Sequence, residues 1–154
     1  MQPKKPEFLD EKELRRAIID LLSRRDYSRL ELFRKLKKRC DSAELLEQIL
    51  DDFQQRNWQS DQRFAESFLN SRYQRGLGPI RLKQEMREKG LASDVIQLTL
   101  ESSEVDWFQL AFEVAQKKAN SLKESDPNKK QKLFRFLAYR GFSSDQIAYA
   151  MDEM

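Results

Sequence analysis

Histidine is absent from this 154-residue chain. That removes the usual general base, the usual proton shuttle and the commonest metal ligand together, so most familiar hydrolytic sites are closed off. Cysteine is nearly absent. Cys40 alone excludes an intramolecular disulfide and a cysteine-cluster metal site, and it suits a reducing compartment. The four glycines, at 76, 78, 90 and 141, form neither a GxxxxGK[ST] phosphate loop nor a GxGxxG dinucleotide turn. Proline is equally scarce, at four residues. With so few breakers among abundant Leu, Lys, Glu, Gln and Arg, an all-α fold is expected over any sheet. No apolar run approaches the roughly twenty residues of a membrane span, and Met1 to Pro6 lacks the apolar stretch of a signal peptide. A cytoplasmic protein without membrane contact is expected. Carboxylates such as Asp51, Asp52, Glu101 and Glu104 are interleaved with polar residues at helix ends, the pattern of solvated caps rather than of an acid–base pair. No catalytic residue, metal or cofactor is therefore expected.

What is present is a phrase written three times. Leu32, Leu36, Arg39, Cys40, Leu46 and Leu50 align with Leu82, Met86, Lys89, Gly90, Ile96 and Leu100 fifty residues on. The third copy reads Leu133, Leu137, Arg140, Gly141, Ile147 and Met151, offset by fifty-one. Self-similarity at this period implies stacked supersecondary units, each too small to bury its apolar face alone. The expected units are residues 1–58, 59–105 and 106–154, each a helix-turn-helix-like set of three helices. Together they predict an elongated, curved right-to-left stack of about nine helices, monomeric because no heptad seam favours a coiled-coil dimer.

Local signals place the helices. Leu14, Ala17, Ile18, Leu21 and Leu22 form an apolar stripe ending near Arg25. Ser28 to Glu31 has the form of a capping box, and its helix should run to about Arg39. Asp41 or Ser42, Ser60 or Asp61, Ser93 or Asp94, and Ser143 or Ser144 are the further expected caps, with Asp126 before Pro127 serving in the third unit. Gly76 and Gly78 break the chain before Pro79, which suits a first helical turn, and a sharp turn is expected at Gly78. Gly90 and Gly141 suit left-handed helix ends, and Cys40 is read as the small residue at the same place in the first unit. Trp58, Trp107, Phe64, Phe68, Phe108, Phe112, Phe134, Phe136 and Phe142 are assigned to core or inter-repeat packing.

Net charge is only +3, but its distribution is uneven. Arg24, Arg25, Arg29, Arg34, Lys35, Lys37, Lys38 and Arg39 face only Asp26 and Glu31 in one short segment, a patch with a sign. Arg72 and Arg75 precede the glycine break, where a bent backbone can present guanidinium groups. The third unit offers Lys129, Lys130, Lys132, Arg135 and Arg140, with Tyr139 as a stacking platform. These are the candidate interaction residues, and Gly76, Gly78, Pro79, Gly90 and Gly141 are the structural ones. A solvated face, or cations at helix C-termini, explains the basic residues equally well.

The run from Asp61 to Leu82, through Phe64, Phe68, Arg72, Tyr73, Gly76, Gly78 and Pro79, continued by Glu85 to Gly90, resembles the central signature of the RecX family. Leu21 to Ser28 and Phe136 to Phe142 extend the likeness, which spans about Leu14 to Met151. The resemblance implies three tandem three-helix repeats. It also implies binding to RecA filaments on single-stranded DNA, with suppression of RecA ATP turnover, strand exchange and coprotease activity, and hence a part in recombination and the SOS response. Single- or double-stranded DNA is a further partner to weigh. The rival reading is a stand-alone DNA-binding protein whose helix-turn-helix-like repeats act on nucleic acid directly.

Overall fold

A computed structural model describes residues 7–154; Met1–Pro6, read above for a signal stretch, lie outside the described residues. Among those described there are nine α-helices and no strand. The first triplet is α1 (Glu11–Arg24), α2 (Arg29–Leu36) and α3 (Ala43–Gln55), with a 3₁₀ turn over Lys37–Arg39 after α2. The second is α4 (Asp61–Gln74), α5 (Pro79–Glu88) and α6 (Ser93–Ser102), and the third is α7 (Trp107–Ala119), α8 (Lys129–Tyr139) and α9 (Ser144–Asp152). No described helix is long and apolar enough to cross a membrane.

The helix starts follow side-chain chemistry. Ser28 and Glu31 close a reciprocal capping box, and so do Ser143 and Gln146 and, ahead of α1, Asp10 and Glu13. Ser42, Ser60 and Asp106 each accept one backbone amide of the turn that follows. Two expected caps are corrected. Ala92, not Ser93 or Asp94, holds the cap position of α6, and Asn128 that of α8, without a side-chain cap bond at either. Asp126 instead accepts from Asn128 N–H and pairs with Lys132, so it organises the turn before α8 rather than its first amides.

Each triplet encloses its own apolar cluster. Leu14, Ile18, Leu32, Leu46, Ile49 and Phe53 fill the first, all without solvent contact. Phe64, Leu82, Met86 and Ile96 fill the second. The third is built on small residues, Ala111, Ala115 and Ala150, with Leu137 and Ile147, which lets α7 and α9 approach closely. Substantial helix–helix packing falls within triplets. The chain exposes 10544 Å², against about 8,200 Å² for a compact protein of this mass. That excess is the cost of three thin cores in place of one.

Not every aromatic expected in these cores is there. Phe64, Phe68 and Phe142 are buried, but Trp58, Phe108 and Phe134 are nearly half exposed. Trp58 meets Phe53 edge-on at 5.2 Å and carries Arg56 on its face at 5.0 Å, while Phe108 meets Tyr149 edge-on. Trp58 lies in the turn after α3, and Phe108 and Phe134 lie on helices beside a core whose thin layers cannot cover them.

The triplets are joined end to end through their second helices. Gly78 N–H donates to the Arg140 carbonyl at 2.7 Å and Ile80 N–H to the Gly141 carbonyl at 3.0 Å. The unsatisfied carbonyls ending α8 thus cap the unsatisfied amides opening α5, which has no side-chain cap of its own. Fifty residues earlier, at the equivalent place, Ser28 Oγ donates to the Lys89 carbonyl that ends α5. So the C-terminal end of α8 meets the N-terminal end of α5, and that of α5 the N-terminal end of α2, negative dipole end to positive.

The glycines serve this joining. Gly76, Gly90 and Gly141 lie at φ of +74°, +82° and +94°, a region costly for residues with a Cβ. Gly78 does not. Its φ of −82° is ordinary extended backbone, which corrects the expected sharp turn. A Cβ on Gly78 would stand 2.6 Å from Phe142 N and closer still to the Gly141 carbonyl. Proximity, not torsion, demands glycine there. Cys40, the first-triplet counterpart of Gly90 and Gly141, is buried and extended at φ −117°, because the 3₁₀ turn ends α2 in place of a left-handed residue.

Candidate interaction surface

The amino-terminal basic residues divide by what already holds them. Arg29, the first residue of α2, reaches Glu47 and Asp51 at 2.6 Å each and Gln54 at 2.9 Å. Burial penalises its charge, but those two carboxylates outweigh the penalty and raise its pKa above the usual guanidinium value. It ties α2 to α3. Arg25 lies flat on Tyr27, 3.6 Å from the ring centroid, and forks onto Glu31 at 3.1 and 3.3 Å. Glu31 also accepts from Ser28 N–H and Lys89 Nζ. Burial would raise its pKa, yet Arg25, Ser28 N–H and Lys89 together hold it below the ordinary carboxylate value. Arg24 pairs with Asp20 one turn back.

The remainder of that cluster is free. Arg34, Lys35, Lys37, Lys38 and Arg39 are exposed, and among the described residues none pairs with a carboxylate. Arg34 donates to the Glu88 carbonyl at 3.0 Å across the first junction, and Lys35 Nζ stands over the Tyr27 ring at 5.9 Å. These five occupy the C-terminal end of the α8–α5–α2 series, where the helix dipole is negative and cations are favoured. Glu31 and Glu88 share a pocket with Arg34 and Lys35 without pairing with either.

Arg72 and Arg75, close in sequence, differ in situation. Arg72 pairs with Glu85 at 3.3 Å and covers Phe68 at 4.4 Å, fastening α4 to α5. Arg75 is exposed; its side chain has no hydrogen-bond or ion-pair partner among the described residues, and its carbonyl accepts from Arg140 at 2.8 Å. In the third triplet Lys132 is held by Asp126, whereas Lys130 and Arg135 point to solvent and Lys129 is half-buried. Tyr139 is 74% exposed and carries the Arg81 guanidinium 5.1 Å from its ring centroid. Arg140 lies over Phe136 at 4.8 Å.

The structure therefore brings Arg75 and Arg140 together and leaves the amino-terminal five as a separate patch. It adds residues that sequence reasoning passed over. Arg81 reaches the Tyr139 carbonyl from α5, and Lys117 and Lys118 at the end of α7 flank Arg140. Paired lysines in a last helical turn read as dipole neutralisation, and nothing in the sequence sets them beside a residue of the following helix.

Residues 60–100 match the second three-helix domain of RecX and residues 104–151 the third. The regulatory protein RecX of Haemophilus influenzae strain PittEE is 43% identical over 133 residues, covering 85% of this chain and 88% of that protein. RecX of Actinobacillus pleuropneumoniae serotype 5b is 44% identical over 135 residues, 88% of each chain. Among solved structures, RecX from Lactobacillus salivarius superposes with a TM-score of 0.79 over 93% of this chain and 95% of its own, at 22% identity. At that identity the superposition speaks for the fold alone.

Proposed function

The chain belongs to the RecX family of regulatory proteins, and from that premise we propose that it binds RecA filaments on single-stranded DNA. There it lowers RecA ATP turnover, strand exchange and coprotease activity, and so restrains recombination and the SOS response. One observation carries the reading: the likeness to a RecX regulatory protein runs through 85% of this chain at 43% identity. Geometry supports it. Three equivalent modules, joined in series through α8, α5 and α2, present equivalent positions at regular intervals, which suits a partner that is itself a repeating assembly. The modules act as units 1–58, 59–105 and 106–154 of a cytoplasmic monomer, without cofactor and without catalysis.

The test is RecA-dependent ATP hydrolysis on single-stranded DNA while this protein is titrated from substoichiometric to equimolar amounts. Hydrolysis should fall as the titration proceeds. Unchanged hydrolysis throughout refutes the reading.

The unpaired group Arg34, Lys35, Lys37, Lys38 and Arg39 favours a second reading, direct binding to DNA phosphates. Salt separates the two. Phosphate binding alone weakens steeply with salt, whereas filament binding that shares apolar and hydrogen-bonded contacts persists.

A further inference from the structure

A groove of about 680 Å³ opens between α4, α7 and α8 at the second junction. Its floor is apolar: Tyr73, Val114 and Phe136 are half-buried there, packed against the third core from one side only. The rim is cationic, carrying Arg75, Lys117, Lys118 and Arg140, with Glu113 as the one carboxylate. Among the described residues none of those four cations pairs with a carboxylate.

Two of the rim charges converge. Lys118 Nζ stands 4.9 Å and the Arg140 guanidinium 4.8 Å from the same Phe136 ring. Arg140 is fixed there by its bond to the Arg75 carbonyl. The ring attracts both, but their mutual repulsion has no paired anion to offset it. The first junction differs, because there Glu31 neutralises Arg25 and Lys89. At the second junction Glu113 is the groove's one carboxylate and pairs with none of the four cations, so the groove keeps an excess of positive charge.

We propose that this groove receives an acidic peptide segment bearing one large apolar side chain, the carboxylates meeting the four cations and the apolar group settling on Tyr73 and Val114, beside the cation-covered Phe136. A nucleic-acid backbone would satisfy the charges but leave the floor wet. Base stacking on Phe136 would have to displace the two cations already over it. The groove volume is that of a pocket accommodating a side chain with its flanking backbone. The inference rests on the proposed action through a protein partner, and it names the chemistry of one contact.

The test uses the full chain and three fluorescent probes: a short Asp- and Glu-rich peptide with one central Phe, the same peptide with Ala there, and an oligothymidylate of similar length. Anisotropy should show the Phe peptide binding about tenfold more tightly than the Ala peptide. Arg75→Glu combined with Lys117→Glu, both exposed positions, should weaken that binding about tenfold or more, while Lys37→Glu with Lys38→Glu leaves it unchanged. The proposal is overturned if the Phe peptide fails to bind, or if the Phe and Ala peptides bind alike. It is equally overturned if both double variants weaken binding equally, or if oligothymidylate displaces the peptide at comparable concentration. Failure here with wild-type RecA inhibition intact removes the groove only; loss of RecA inhibition with peptide binding intact removes the functional reading only.

Discussion

The two junctions between repeats occupy equivalent places and are made of different materials. At the second, backbone meets backbone directly: Gly78 and Ile80 amides insert onto the Arg140 and Gly141 carbonyls, with Arg81 to the Tyr139 carbonyl and Arg140 to the Arg75 carbonyl flanking them. At the first, side chains do the joining. Ser28 Oγ reaches the Lys89 carbonyl, Glu31 takes Lys89 Nζ and Arg34 takes the Glu88 carbonyl. Gln59, 1% exposed, bridges the Tyr27 carbonyl and Asp61, which also accepts from Arg29 N–H. A backbone junction is rigid and indifferent to pH and salt, but it tolerates no added atom. A side-chain junction has room to adjust, and its strength varies with protonation.

The sharpest way to break this contrast is a single methyl group. Gly78→Ala should destabilise the protein by roughly 3 kcal/mol, since the new Cβ must push apart two backbones and loosen two interhelix hydrogen bonds. Gly90→Ala, at the first junction, meets a side chain rather than backbone, Leu30 Cβ and Cδ2 at 2.6 Å, and its φ of +82° remains unfavourable. Its cost should be smaller, about 1 to 2 kcal/mol. Urea denaturation of both variants measures the difference. Equal losses would show that close approach at Gly78 costs no more than left-handed torsion at Gly90.

Acid should act on the opposite junction. Glu31 has a pKa below the ordinary 4.5 in the folded state, so its contribution is present above that value and is lost as pH falls through the lowered one. Stability should therefore drop below about pH 4.5, by on the order of 1 kcal/mol from this group after solvent screening is discounted. Glu31→Gln should be less stable at neutral pH and should flatten that part of the profile. Asp52 and Asp126 are also lowered, by Arg15 and Arg56 and by Lys132 respectively. The informative quantity is accordingly the difference between wild-type and variant profiles. Identical slopes would mean that Glu31 does not carry the first junction.

How much of this was legible beforehand depends on the range of the interaction. Periodicity and capping act within four residues, and they located the nine helices and Ser28 as a cap, and narrowed three further caps to adjacent pairs from which the structure selects Ser42, Ser60 and Ser143. The left-handed glycines 90 and 141 were visible for the same reason, since each closes a helix. Gly78 was misread because its constraint lies at Gly141, in the next repeat. Ala92 and Asn128 fall outside the cap rule because neither makes a side-chain cap bond. The charge cluster shows the same limit. Arg29 and Lys38 look alike in sequence, yet one is bound to Glu47 and Asp51 on α3 and the other is free, a distinction made by tertiary contacts alone.

That distinction yields a pair of opposite effects. Arg29→Gln should cost stability, about 1 kcal/mol because its carboxylate partners are largely exposed, and should leave DNA and filament binding near wild type. The binding side of the comparison concerns the smallest stability change of all. Replacing Arg34, Lys35, Lys37 and Lys38 by Gln removes four exposed charges on a helix and its terminal turn, with no ion pair broken and one hydrogen bond altered. Melting should move little, because Gln keeps helix propensity close to that of Lys and Arg. If these residues meet phosphates, the logarithmic salt slope for naked single-stranded DNA should become shallower by roughly 0.7 for each phosphate no longer neutralised. If they meet an acidic protein surface, naked-DNA binding should hold while RecA inhibition falls. Wild-type behaviour in both assays would mark the patch as a solvated face that neutralises the negative end of the α8–α5–α2 series. The cations of the second junction would then be the next to test.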